Sequence, residues 1–289
     1  MTAPLSPTTQ SPVREVSLAV NAAHRIVYLA PEAAEEAARL GVGDRGPAYF
    51  AYRSAAMGAV PWQVTLAAFY NFSPRAVRCM RGVWDAAPPE RWQAARFAVA
   101  GRVLRRIGVH LTEDHLAEAR SLTDPVVSGA DYAGRTLAAA NASVPLPADP
   151  LVALWQQITV LREWRGDAHL VVLAANRLGP CDCVVLETAT GRLPAKLMRA
   201  TRLWDDEEWA AATARLAARG WLDADGAVTE AGTAARARIE AETDEHCAPL
   251  WTPVGDTGAR RLAALLAPVD EAFTAAGGAA AAPSAIPGR

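Results

Sequence analysis

The chain is short of lysine. Lys196 is the only one among 29 basic residues, so nearly every cation is a planar arginine fork. It also lacks a cationic excess, with a formal net charge of -2. A protein whose whole surface grips nucleic acid is usually basic, so this balance leaves at most a local basic patch for that purpose. No uncharged apolar run reaches the roughly 18 residues that a membrane-spanning helix needs, and no membrane partner is expected. Residues 1–13 are rich in Pro, Ser and Thr, with no basic stretch leading into an apolar one, so they do not read as a signal peptide. A cytoplasmic location is expected. Cysteine is scarce: Cys79, Cys181, Cys183 and Cys247. The CxC pair Cys181/Cys183 is too tight for an ordinary zinc CxxC, and the four read as reduced thiols in a reducing compartment. His110 and His115 have no cysteine at zinc spacing. No Walker loop, GxGxxG, HExxH or GxSxG occurs. Neither a metal nor a cofactor is expected.

What is present is apolar and helical. Of 289 residues, 51% are hydrophobic and 21% charged, which suits a globular chain of two domains. Residues 1–13 and 275–289 read as disordered tails. Between them, residues 14–143 and 151–274 read as two domains, joined by the proline-rich linker 144–150. Helices are expected over 13–29, 31–40, 61–72, 74–86, 90–107, 112–122, 130–141, 151–178, 194–203 and 207–219. The segment Asp182 to Glu187 reads as a short strand.

The sharpest local signal is Gly220-Trp-Leu-Asp-Ala-Asp-Gly-Ala-Val-Thr-Glu-Ala-Gly232. A helix ends at Gly220, Trp221-Leu222 starts a strand, Asp225-Gly226 makes a tight turn, and Thr229 caps the next helix. From Leu186 to Glu242 this arrangement resembles the winged helices of the MarR-like class. An internal echo supports tandem halves. Gly58 and Pro61 are three residues apart, as are Gly191 and Pro194, and each proline lies twelve residues before an expected cap, Ser73 or Asp206. His24-Arg-Ile-Val-Tyr-Leu-Ala echoes His169-Leu-Val-Val-Leu-Ala. The fold class is therefore mainly α with a small β wing, built as tandem winged-helix-like halves with an internal duplication.

In a helix-turn-helix the second helix enters the major groove. Here that helix opens with Asp205, Asp206, Glu207 and Glu208, whose charge opposes phosphate. Arg75, Arg78 and Arg81, one turn apart in the first half, form either a phosphate-contacting stripe or a solvated face. Groups able to do chemistry cluster elsewhere, in Arg162-Glu-Trp-Arg-Gly-Asp-Ala-His169. Asp167 and His169 do not share one helix face, but a distortion at Gly166 would let both reach one cavity as an acid–base pair. His24 lies on an apolar helix, Arg53 among the aromatics of Tyr49-Phe-Ala-Tyr-Arg53, and Tyr70 and Asn71 within Phe69-Tyr-Asn-Phe72. Each can also be read as ordinary packing or an interdomain polar network.

Together these four segments resemble, from about Arg14 to Phe273, an actinobacterial family of helix-turn-helix proteins of unestablished function. The family pattern R-E-H-R-G-D-G-H has Trp164 in place of its His here, and Ala168 in place of its second Gly. That puts in doubt any role of the missing imidazole. The main expectation is a pocket between the halves that takes a small-molecule ligand. His24, Asp167 and His169 are the candidate acid–base groups, and Tyr49, Arg53, Tyr70, Asn71 and Trp164 the candidate ligand-binding residues. The protein would then be a binding protein or a metal-independent tailoring enzyme. The alternative is a winged-helix DNA-binding regulator, with nucleic acid the disfavoured partner. A third is a scaffold whose winged helices serve a homodimer.

Overall fold

The computed structural model describes residues 11–108, 111–191 and 193–276. His110 and most of both expected tails lie outside them. The helices start where capping chemistry places them. Ser11 accepts a hydrogen bond from the Arg14 amide and Pro12 occupies the first turn of α1 (Pro12–Leu29), where its missing N–H costs nothing. Then follow α2 (Pro31–Arg39), α3 (Arg45–Ser54), α4 (Trp62–Phe69), α5 (Pro74–Arg78), α6 (Val83–Ala86), α7 (Pro89–Arg106), α8 (Glu113–Ser128) and α9 (Thr136–Ala142). The second part comprises α10 (Pro150–Ala175), α11 (Pro180–Ala189), α12 (Ala195–Arg202), α13 (Asp206–Ala218), α14 (Glu230–Cys247) and α15 (Gly255–Ala275). The protein is mainly α-helical.

Several expectations need correction. The segment Asp182 to Glu187 is not a strand but lies inside α11. Pro180 stands in its first turn, and the Asp182 carboxylate accepts from the Gly179 amide. Those start signals outweigh the β-branched pair Val184-Val185. The helix expected from 74 to 86 ends at Arg78 and a second starts at Val83 after Gly82, whose φ of 78° is left-handed, so Arg81 lies outside the helix that carries Arg75 and Arg78. The helix expected at 130 starts only at Thr136. The cap of α13 is Asp205, in a reciprocal box with Glu208, so the twelve-residue echo between the halves becomes eleven in the second. α10 runs unbroken through Gly166.

The hairpin forms, but among the described residues its pairing is a single antiparallel bridge, Leu222 to Val228. Asp223 Oδ1 accepts from the amides of Asp225 and Ala227, and Gly226 takes a left-handed φ of 80°. Gly232 matters for a different reason: a Cβ there would drive into the Trp221 carbonyl oxygen. Gly232→Ala is therefore expected to cost about 1–3 kcal/mol, the usual penalty for overpacking. Urea unfolding followed by tryptophan fluorescence checks this, and an unchanged midpoint would contradict it.

Two apolar cores form, and they do not divide at 144–150. The larger gathers Ile26, Phe50, Trp92, Val99 and Trp155 with Leu262, Leu266 and Phe273 from the C-terminal helix. The smaller contains Val172, Leu178, Val185, Leu216, Trp221 and Ile239. α15 packs along α1, so the chain's end completes the core its beginning starts. The division falls inside α10, between Ala168 and Val172. A proline-rich stretch marks a break in helix, not a break in packing.

Candidate functional site

α10 is the spine of the site. A wholly apolar helix would be simple core, but this 26-residue one carries Arg162, Glu163, Arg165, Asp167 and His169, all lining a cavity of about 420 Å³. The opposite walls come from Arg14 on α1, Tyr49 and Arg53 on α3, and Phe69, Asn71 and Phe72 after α4. Met198 and Arg202 on α12 and Arg236 and Glu240 on α14 close it. Both cores thus contribute to one space, of a size typical for small-molecule sites.

Glu163 is the hub. Arg53 Nη2 donates to both its oxygens, at 2.6 and 2.9 Å, and Arg162 Nη1 donates to Oε2 at 2.6 Å. Burial opposes its ionisation, but Arg162 and Arg53 outweigh that and hold the carboxyl well below the usual range. Arg53 also donates to the Tyr49 hydroxyl at 3.0 Å and lies over the Phe69 ring. A second hub stands on α14, where Glu240 accepts from Arg14, Arg165 and Arg236.

The two imidazoles use the same device. His24 Nδ1 is 3.3 Å from Thr159 Oγ1, whose proton goes to the Trp155 carbonyl. His169 Nδ1 is 2.9 Å from Thr243 Oγ1, whose proton goes to the Ile239 carbonyl. With each threonine hydroxyl spent as a donor, each imidazole must donate from Nδ1. Burial pushes both pKa values down, that of His24 well below its usual value and that of His169 to about 4. Both rings are thus neutral at physiological pH, and His169 Nε2 makes no hydrogen bond within the described residues. In a pH titration from about 8 to about 5, their ring ¹⁵N shifts are expected to stay those of a neutral Nδ1–H tautomer. Protonation of either near pH 6.5 would contradict this.

The expected site residues separate into two groups. Tyr49, Arg53, Asn71, Asp167 and His169 line the cavity. His24, Tyr70 and Trp164 do not. His24 sits one layer behind, with Nε2 3.8 Å from Glu163 Oε1 and its ring stacked on Trp155. The Tyr70 hydroxyl donates to the Leu178 carbonyl. Trp164 Nε1 donates 3.0 Å to the Asp131 carbonyl, under the Arg135 guanidinium. Asp167 and His169 share the cavity without forming a pair: Asp167 Oδ2 accepts from the Ala138 amide at 3.0 Å, capping α9. Burial raises the Asp167 pKa to about 6. Sequence reasoning passed over Glu163, Arg202 and Glu240. An acid amid Leu161, Trp164 and Ala168 was a usable signal for Glu163; nothing local marks the other two.

The expected DNA-facing end of α13 keeps Asp205, Asp206 and Glu207 exposed, while the segment around α5 reaches its flank. Arg75 pairs with Asp205 at 3.2 Å and with Glu208, and the Ser73 amide donates to the Arg202 carbonyl at 3.0 Å. Trp204 Nε1 donates to the Asn71 carbonyl at 3.1 Å. Arg78 and Arg81 lie over Trp62, 5.0 and 5.8 Å from its centroid. Among the described residues, no cluster of three or more His, Cys, Asp or Glu could hold a metal ion, and no single helix is long and apolar enough to cross a membrane.

The sequence model of a helix-turn-helix family matches residues 13–280. No curated protein and no solved structure matches the chain. The family's description lends weak support to DNA binding and says nothing of a ligand. With a match over nearly its whole length, the chain belongs to this helix-turn-helix family.

Proposed function

We propose that this protein binds a small organic molecule in the cavity between its two cores. The observation that carries this reading is the cavity itself: about 420 Å³, walled by both cores and lined by Arg53, Asp167 and His169 among aromatic and aliphatic side chains. A neutral imidazole with a bare Nε2 and a carboxyl with a pKa of about 6 are suited to accept and hold protons on a bound molecule. The same site serves a binding protein or an acid–base enzyme. The tandem winged-helix reading fits this scaffold. α3, α4 and α5 follow one another as α11, α12 and α13 do, with α2 as the extra element of the first half.

Gly166 offers a clean test. It lines the cavity, and a Cβ there would find its nearest neighbours at 3.4 and 3.6 Å, ordinary contact distances. Gly166→Leu is expected to fill the space while the helix gains the roughly 1 kcal/mol that glycine forfeits in its interior. In saturation-transfer NMR with a fragment set, fragments should contact the native chain and not this variant. Equal binding to both, or binding to neither, would defeat the proposal.

A second reading is favoured by the family match: a DNA-binding regulator. Since α13 opens with four acids, three of them exposed, its contacts would have to come from the hairpin and from surface arginines. Filter binding to random duplex at low salt decides it. Binding that falls steeply with salt supports this reading, and no binding removes it.

A further inference from the structure

Of the arginines that line the cavity, one has no carboxylate partner among the described residues. Arg53 and Arg162 share Glu163. Arg14 and Arg165 share Glu240 and Asp244. Arg236 is held by Glu187 and Glu240. Arg202 has no ion pair among the described residues. Its only side-chain hydrogen bond among the described residues is from Nη1 to Thr201 Oγ1 at 3.0 Å, and its guanidinium lies 4.2 Å over the Phe72 ring. Its Nε–H is buried without an acceptor.

Taking the cavity as a ligand site, we propose that it selects an organic molecule carrying one carboxylate on an apolar or aromatic body, and that Arg202 receives the carboxylate. A half-buried cation without a counter-ion loses hydration that nothing replaces, and a guanidinium fork matches a carboxylate bidentately. Burial lowers the Arg202 pKa, with Arg53 and Arg162 adding to the effect, so an incoming anion relieves the same strain. One cation without a carboxylate partner calls for one negative charge, and the Asp167 carboxyl in the same lining disfavours a second. Phe69, Phe72, Met198 and Trp251 supply the apolar walls.

The backbone fixes the fork in place. The Arg202 carbonyl accepts from the Ser73 amide, and the next residue, Leu203, takes a left-handed φ of 53° while its carbonyl accepts from Arg75. Tyr70, between the cavity-lining Phe69 and Asn71, has a φ of 43°. Non-glycine residues held in such conformations concentrate at ligand clamps.

Calorimetry with matched pairs tests the proposal: 2-naphthoate against 2-naphthamide, indole-3-acetate against indole-3-acetamide, and 1-naphthyl phosphate as the dianion. At low salt and neutral pH, at least one acid should bind about tenfold or more tightly than its amide, the worth of a charge-assisted bond. Arg202→Met should bring that ratio near one with the amide little changed, and Arg202→Lys should keep part of it. Amides binding as well as acids to the native chain, or the phosphate binding more tightly than any acid, would overturn the carboxylate assignment while the cavity remains a ligand site. This readout needs no variant to fold. If neither acids nor amides bind, the cavity reading falls with it.

Discussion

Glu163→Gln is expected to destabilise the protein by about 3–5 kcal/mol, the usual cost of removing one partner from a buried ion pair. The glutamate is buried to 1% exposure. Its carboxylate is the only acid paired with Arg53 among the described residues, and it also holds Arg162. The glutamine amide keeps the shape but not the charge. Its NH₂ also turns a donor towards guanidinium donors, so Arg53 is left charged in a desolvated place. Chemical denaturation gives the magnitude. Arg53→Leu with Glu163→Leu should recover much of the loss, since an apolar pair can replace a buried ionic one. A single Glu163→Gln variant as stable as the native chain would show that the pair is solvated.

Stability is expected to fall as pH drops from about 6.5 to about 4. The sign follows from proton counts. In the folded chain His24 is held well below its ordinary value and His169 is held at about 4, so both stay neutral where the unfolded chain already binds protons. Each contributes a loss of about 1.4 kcal/mol per pH unit on acidification across its window. Asp167 acts in the opposite direction. Raised from 3.8 to about 6, it binds a proton in the folded chain first, and its contribution is present at low pH and lost as pH rises through about 6. One imidazole is thus offset, and a net slope of about 1.4 kcal/mol per unit remains. Below pH 4.5 Glu163 and Glu240 add to the loss, since both carboxyls are held low by arginines and their contribution disappears as they protonate. His169→Gln should flatten the profile and Asp167→Asn should steepen it. Urea midpoints that rise or stay level on acidification would contradict this assignment.

How much of this was legible in the sequence depends on the range of the interaction. The hairpin was readable because its chemistry is local: Gly226 for the left-handed turn, Thr229 for the cap, Gly232 for the close approach to Trp221. Its pairing fell short of a strand ladder because only Leu222 and Val228 meet. The expected strand at Asp182 failed because Pro180 and Asp182 start a helix, and start signals outrank a short β-branched run. Arg53, Asp167 and His169 could be picked out as polar groups in apolar helices. Their partners could not, because Glu163 and Thr243 stand 110 and 74 residues away. Arg202 is identifiable only once the ion pairs around it are known. The division between the two cores was hidden for a similar reason: α15 returns to the first core, and no local pattern announces where a helix docks.

The most direct test of a ligand site between the two cores is methyl NMR of the native chain titrated with 2-naphthoate and, separately, with duplex DNA. The account predicts naphthoate shifts concentrated at Leu161, Leu173, Met198 and Leu250, which line the cavity, and none at Leu222 or Val228 in the hairpin. Shifts confined to the hairpin with duplex, and a cavity silent to the acid, would contradict it.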